Sequence, residues 1–492
     1  MSETSNIQAE SLVSHADDSI AGKPDETAES HDIQIADTRS DSYITSRTGE
    51  HTARREHTAQ PYAWAELFRF YMPLAVTSIM MMVTHSVVSN ALARTLYPTI
   101  ALAAYSASYA VNQVFEFPCY VLQRMCLAFT KGRRSLKKAA RVSLMVLAAM
   151  VLCLVVISCT PLARTVFIGI LGVSEQVYRM AVPSLQVLIL GPVFAAINSV
   201  YQTPIVMKKQ TGWLTVNGMA RVAVMFLTAA VLPRLWPAGP VGAVILMLGM
   251  ATESFLAITV SKKGIPPLED EGPDEYIPST PQILKFTLPL VMAAWIQTLG
   301  SPVITASLAR TSNPDASLAG YQVAMSFYYI FAALNFNIYR LGLMYVRESV
   351  SFKQIKRFSV MLGSIALVCL LIGSIPQIGT WVFGTLIKAP AEVVPEALKA
   401  LAFMSITPLM IAIAEFYGCI VMMHEHTIWV TMAKIGNLVV SSLVAVTLAS
   451  VYPGLGSAIG SVALACGGSV EAFVCYRMFF RLPNYQKYLK RV

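Results

Sequence analysis

From Phe68 onward the chain alternates long apolar runs with short polar punctuation. Runs of about 20 apolar residues are long enough to cross a bilayer as helices. Six such runs fall near 68–92, 100–128, 139–160, 182–206, 213–233 and 239–261. Six more fall near 284–308, 316–344, 358–381, 396–423, 427–450 and 454–478. Between the two sets lies "SKKGIPPLEDEGPDEYIPSTP", whose prolines, glycines and acidic residues predict an irregular linker over 262–283. The pattern predicts an all-α membrane protein of 12 transmembrane helices.

The halves repeat. Laying 68–129 over 284–345 without a gap matches 15 of 62 positions. The matches include Phe70/Phe286, Pro73/Pro289, Pro98/Pro314, Tyr105/Tyr321, Phe115/Phe331 and Arg124/Arg340. "LART" occurs at both Leu92–Thr95 and Leu308–Thr311. The same offset pairs Pro192 with Pro408 and Trp213 with Trp429, and two residues later Glu253 meets Glu471. Six helices per copy is an even number, so both copies enter from one side and the repeat is parallel, about an axis along the membrane normal. The expected bodies are an N-lobe over 63–261 and a C-lobe over 284–480.

Composition agrees. Charged residues make up 13% of the 492, and mean hydropathy is +0.57, whereas ordinary soluble chains carry about 25% charged residues. The first sixty residues differ, holding 12 acidic and 5 basic side chains. A segment so polar cannot bury enough apolar surface to offset its ordering entropy. Residues 1–62 are therefore expected to form a disordered cytoplasmic tail, with a second tail over 481–492. Lys and Arg in the loops divide twenty to seven between the two faces, which puts both termini in the cytoplasm. On that reading Arg94 and Arg310 close the first helix of each lobe on the outer face. There they serve as snorkelling anchors or as attractors of anions.

Polar side chains within membrane helices mark partners or cavities. On the second helix Tyr105, Tyr109, Asn112, Glu116, Cys119, Tyr120 and Gln123 share one arc of roughly 100°. The matching arc in the second copy reads Tyr321, Met325, Tyr328, Ala332, Asn335, Phe336 and Tyr339. Such stripes suit a wet cleft between lobes, with hydrogen bonding between helices as the alternative. His85, Asn198, Gln202, Gln297 and Glu415 are further polar positions within spans. Glu116 and Glu415 have no counterpart in the other copy, which favours them as substrate or coupling groups. The matched charges Arg124, Glu253, Arg340 and Glu471 have three readings: pairing within each lobe, contact with an anionic substrate, or snorkelling. The eight cysteines lie in apolar segments and form no CxxC pair, so they read as packing residues. His424 and His426 flank Glu425 in a short loop, where a metal site is the minor alternative; no metal or cofactor is expected beyond a coupling H⁺ or Na⁺.

The entrance "RFYMPLAVTSI", the second helix "ALAAYSASYAVNQVFEFP", "SPVITASLAR" and "TGWL", duplicated six plus six, resemble the multidrug/oligosaccharidyl-lipid/polysaccharide (MOP) exporter superfamily. Within it they look most like the progressive-ankylosis (ANK) type. The resemblance spans about 65–480 and implies MATE-like, V-shaped lobes, alternating access and outward export of phosphate-bearing or carboxylate anions. The acidic residue that one MATE branch carries on helix one is absent, His85 being the ionisable group there, and Gln297 stands where another branch has a glutamate. No GxxxxGK[ST] loop is present, which argues against direct ATP hydrolysis. The expected function is a secondary active exporter of a small anionic solute. A flippase for a lipid-linked saccharide and cation-coupled multidrug extrusion are the alternatives. The chain is expected to be a monomer in the plasma membrane, not an enzyme, with the bilayer and a small solute as partners and no nucleic acid.

Overall fold

The computed structural model describes residues 61–489 except 238, 273, 274, 276, 347, 348, 387–389 and 484. The expected tail over 1–62 lies outside the described residues up to residue 60. The first copy contributes α1 (Trp64–Leu92), α2 (Pro98–Phe129), α3 (Arg133–Cys159), α4 (Glu175–Met207), α5 (Gly212–Leu235) and α6 (Val241–Thr259). The second contributes α7 (Thr280–Leu308), α8 (Pro314–Tyr345), α9 (Ser349–Gly373), α10 (Val393–Met423), α11 (Thr427–Val451) and α12 (Ala458–Phe479). Eleven described helices are long and apolar enough to span a membrane. The twelfth, α2, is 32 residues long and carries the polar stripe.

Three helices start well before their apolar runs. α3 begins at Arg133, α4 at Glu175 and α9 at Ser349, so the basic residues at 133–138 and 353–357 lie inside the first helical turns of α3 and α9. Apolar runs mark the crossing of hydrocarbon, whereas helices extend into the polar interface beyond it. α9 ends at Gly373, ahead of Pro376, because the residue before a proline resists helical geometry.

The duplication is visible in local geometry. α4 breaks at Ile189 and α10 at Ser405–Ile406, each three residues or fewer before the matched prolines Pro192 and Pro408. A proline lacks the N–H for its helical bond and its ring clashes with the carbonyl four residues back. "LART" also has a structural reading. The hydroxyls of Thr95 and Thr311 each donate to the leucine carbonyl three residues back, at 2.7 Å. Just beyond, Leu96 N–H donates to the Pro237 carbonyl at 3.2 Å, and Ser312 N–H to that of Pro453 at 3.1 Å. The tetrapeptide is thus a helix stop tied to the turn between the lobe's last two helices, and both arginines are exposed.

Each lobe has its own apolar core. In lobe one Leu92, Leu188, Met225 and Ile245 are buried together; in lobe two Leu308, Phe383, Leu401 and Ile459 are. The lobes meet where α7 packs on α2 and where a 3₁₀ turn within α8, Ala333–Asn335, packs on α1. That turn has no counterpart in the unbroken α2.

Candidate functional site

Gln123–Arg124 on α2 and Tyr339–Arg340 on α8 occupy equivalent places in the repeat, and the structure brings them face to face. Gln123 Oε1 accepts from the Arg340 guanidinium and, at 3.5 Å, from the Tyr339 hydroxyl. Arg340 Nε also donates to the Tyr339 oxygen at 3.0 Å. Arg124 lies over the Tyr339 ring, 4.3 Å from its centre, and pairs with Glu415 of α10 at 3.0 Å. A guanidinium over an aromatic face gains from the ring quadrupole, so Tyr339 serves both arginines. Two cations and one carboxylate meet here.

Further contacts close the same half of the molecule, the half bearing the basic loops. The α8 turn directs Asn337 toward lobe one, where its amide donates to the Leu74 carbonyl at 3.0 Å and to Ser78 Oγ at 2.6 Å. Tyr71 donates to the Leu334 carbonyl. Nearer the basic end Tyr345 donates to Glu66 at 3.3 Å, and Phe129 meets Phe286 edge-on at 4.7 Å. Trp295 Nε1 donates to the Val114 carbonyl at 2.7 Å, about midway along both helices. Among the described residues, the contacts joining the lobes run from that midpoint to the basic end.

Several expected site residues lie elsewhere. Asn112, Glu116 and Tyr120 do not face lobe two. Asn112 Nδ2 donates to Glu116 Oε2 at 2.5 Å and Tyr120 to Oε1 at 2.8 Å. A side chain on Gly191 of α4 would come within 3.2 Å of Glu116 Oε2. Glu116 is therefore an intralobe group, accommodated because α4 offers a glycine there. Tyr328 is buried in the lobe-two core. Asn335 is fully buried at the α8 turn, and both of its side-chain polar atoms lack a hydrogen bond. Gln297 is exposed on α7, and the side chain of His85 lies outside the described residues.

Pairing of Arg124 with Glu253 and of Arg340 with Glu471 does not occur. The arginines sit at the lobe boundary, whereas each carboxylate faces a helix of its own lobe. Glu253 pairs with Arg221 of α5 at 2.9 Å, and Glu471 with Lys434 of α11 at 2.6 Å. Asn437, the equivalent of Arg221, donates to Glu471 at 2.6 Å. Sequence reasoning passed over Arg221 and Lys434. Both are cations within apolar runs, and their place one helix from a matched glutamate was the available signal.

In the loop, His424 contacts the Tyr488 hydroxyl at 3.2 Å and His426 stacks on Trp429 with ring centres 4.4 Å apart. Among the described residues no group of three or more His, Cys, Asp or Glu could hold a metal ion.

The family model of the progressive ankylosis protein (ANKH) matches residues 275–468. No curated protein matches the chain in sequence. Solved transporters match in fold. One is a MOP superfamily transporter from Pyrococcus furiosus, 12% identical, with TM-score 0.65, covering 87% of this chain and 96% of that one. Another is the Vibrio cholerae MATE transporter VcmN in its bent form, 15% identical, with TM-score 0.67 over 86% and 96%. An outward-facing multidrug resistance MATE transporter is 14% identical, with TM-score 0.68 over 86% and 96%. The progressive ankylosis family model thus matches part of the second half of the chain, and the solved MATE and MOP superfamily transporters share its fold.

Proposed function

We propose that this chain is a secondary active exporter that carries a small anionic solute out of the cytoplasm by alternating access. The moving bodies are the lobes over 63–261 and 284–480, in a monomer of the plasma membrane with both termini cytoplasmic. The observation that supports this reading best is the pair Arg124 and Arg340 at the lobe boundary, where one carboxylate, Glu415, pairs with Arg124, and Arg340 is held by Gln123. Alternating access needs a seal that can be broken. A seal of polar side chains suits this, because water or solute can replace each contact as the lobes part. Once parted, two guanidinium groups would face the opening, each able to hold a carboxylate or phosphate through parallel hydrogen bonds.

The test is transport by purified protein in liposomes, offering a labelled di- or tricarboxylate, inorganic pyrophosphate, a neutral sugar and a cationic dye. Uptake of an anion that falls in Arg124→Gln and Arg340→Gln, with insertion unchanged, is expected. Transport of the cationic dye alone, or arginine variants as active as wild type on the anion, would overturn the reading. A flippase for a lipid-linked saccharide would use the same cations. It would be recognised by movement of a fluorescent pyrophosphate lipid with no uptake of the soluble anions.

A further inference from the structure

We propose that Gln202 and Gln123 form a relay through which the buried ion pair of lobe one, Arg221–Glu253, holds the two lobes together. The contacts form one chain. Gln202 Nε2 donates to Glu253 Oε1 at 3.1 Å. Gln123 Nε2 donates to Gln202 Oε1 at 3.4 Å. Gln123 Oε1 then accepts from Arg340 across the lobe boundary. All three residues of lobe one are buried.

The direction of this chain follows from its ends. An ionised Glu253 can only accept, so Gln202 must present its NH₂ to it. Arg340 can only donate, so Gln123 must present its oxygen. What remains between the two amides is an NH₂ of Gln123 and an oxygen of Gln202, which are complementary. Both amide dipoles therefore point the same way, positive ends toward the carboxylate and negative ends toward the guanidinium. Bonds aligned in this way polarise one another in a low-dielectric interior. Neutralising Glu253 removes the reason for Gln202 to keep its orientation, and with it the reason for Gln123 to offer its oxygen to Arg340.

The relay belongs to one lobe. The equivalent of Gln202 is Gly418, which has no side chain to offer, and Glu471 is satisfied by Lys434 and Asn437 inside lobe two. The other oxygen of Glu253 is held by Arg221, which in turn lies in the field of Glu116. The charge state of lobe one thus has a hydrogen-bonded route to the lobe boundary. Gln202 and Gln123 are positioning residues, acting through Arg340.

In transport the relay has meaning only under the alternating-access reading, but its test needs no substrate. Spin labels are placed on cysteines at Arg94 and Arg310, exposed at the end opposite the basic loops. Cys153, Cys159, Cys369 and Cys466 are changed to alanine, and distances are read by pulsed electron resonance in full-length protein in nanodiscs. Gln202→Leu and Gln123→Leu should each raise the short-distance population relative to the long by about two- to tenfold, the worth of one net hydrogen bond. Combining them should add little. Gln123→Glu should do the opposite, since a carboxylate pairs with Arg340 directly. A steric role would give Gln123→Leu and Gln123→Glu the same sign, and that result would overturn the relay. So would a Gln202→Leu protein with the wild-type distribution. Glu253→Gln strands Arg221 and can fail to fold; Gln202→Leu leaves that pair intact and carries the test alone. Loss of anion uptake with an unchanged response to these variants would sink the transport reading and leave the relay standing.

Discussion

Arg124 and Glu415 meet at 3.0 Å although they belong to different lobes and lie 291 positions apart. Their side chains are 23% and 11% exposed, so the pair is neither a solvated surface contact nor fully dry. A hydrogen bond between charged groups in such a setting is worth about 1.5–3 kcal/mol. Arg124→Gln and Glu415→Gln should each shift the lobes away from the closed basic half, and the exchange Arg124→Glu with Glu415→Arg should restore part of the loss. A double-mutant cycle on the label distances checks this, and full additivity of the two single changes would refute direct pairing.

Inside lobe one the pair Arg221–Glu253 is more deeply buried, both residues being below 10% exposed. Removing one partner strands the other, at about 3–5 kcal/mol. Arg221→Met is expected to express poorly. Arg221→Met with Glu253→Leu should recover much of the yield, because replacing a buried pair by apolar side chains is often neutral. Yield of monodisperse protein in detergent is the measurement. Equal yields for the single and double variants would mean that the pair is not what the fold depends on.

The duplication, the helix number and the presence of six charges within spans, Arg124, Arg340, Glu253, Glu471, Glu116 and Glu415, were legible from residue type and spacing. Their partners were not. The stripe on α2 suits a wet cleft or hydrogen bonding between helices; its upper part, Asn112 and Glu116, packs against Gly191 of the same lobe, and Gln123 at its lower end reaches lobe two. Periodicity says which side chains share a face, not what lies opposite. The answer depended on a glycine in another helix. Arg221 and Lys434 were missed for a related reason: a single cation in an apolar run looks the same whether it reaches water or a buried carboxylate.

Glu116 tests that lesson. Its carboxylate holds Asn112 and Tyr120 at 2.5 and 2.8 Å, and Gly191 leaves room for it. Gly191→Ala would set a methyl 3.1 Å from Asn112 Nδ2, closer than most packed carbons approach. Overpacking of this kind costs about 1–3 kcal/mol. The thermal midpoint should fall in Gly191→Ala, and less in Glu116→Gln, which keeps an acceptor for either neighbour. A Gly191→Ala protein as stable as wild type would show that α2 and α4 are not packed this closely.

The linker supplies a pH-dependent contact. Glu271 sits at the start of α3, where its carboxylate accepts from the backbone N–H groups of Gly132 at 3.0 Å, Arg134 at 2.8 Å and Ser135 at 2.7 Å. The first N–H groups of a helix have no partner within it, and a carboxylate there also meets the positive end of the helix dipole. Burial alone would raise its pKa, but the hydrogen bonds from Ser135 and the backbone outweigh that, and the pKa is lowered from the ordinary glutamate value. Gly132 makes the approach possible, since a side chain there would come within 2.5 Å of the Glu269 carbonyl. A lowered pKa means that the ionised form is favoured by docking. The contact is therefore fully present above the unfolded glutamate pKa, about 4.3, and is lost as the pH falls through the lower, docked value. Amide exchange at Gly132–Ser135, corrected for intrinsic rates, should be slow at neutral pH and lose its protection only as the pH falls below the unfolded glutamate value toward the lower, docked one. Glu271→Gln should already lack that protection at pH 7, a loss comparable to removing an N-cap, about 0.5–2 kcal/mol. Protection that fell as the pH rose instead would have the wrong sign for this carboxylate and would remove Glu271 from the account.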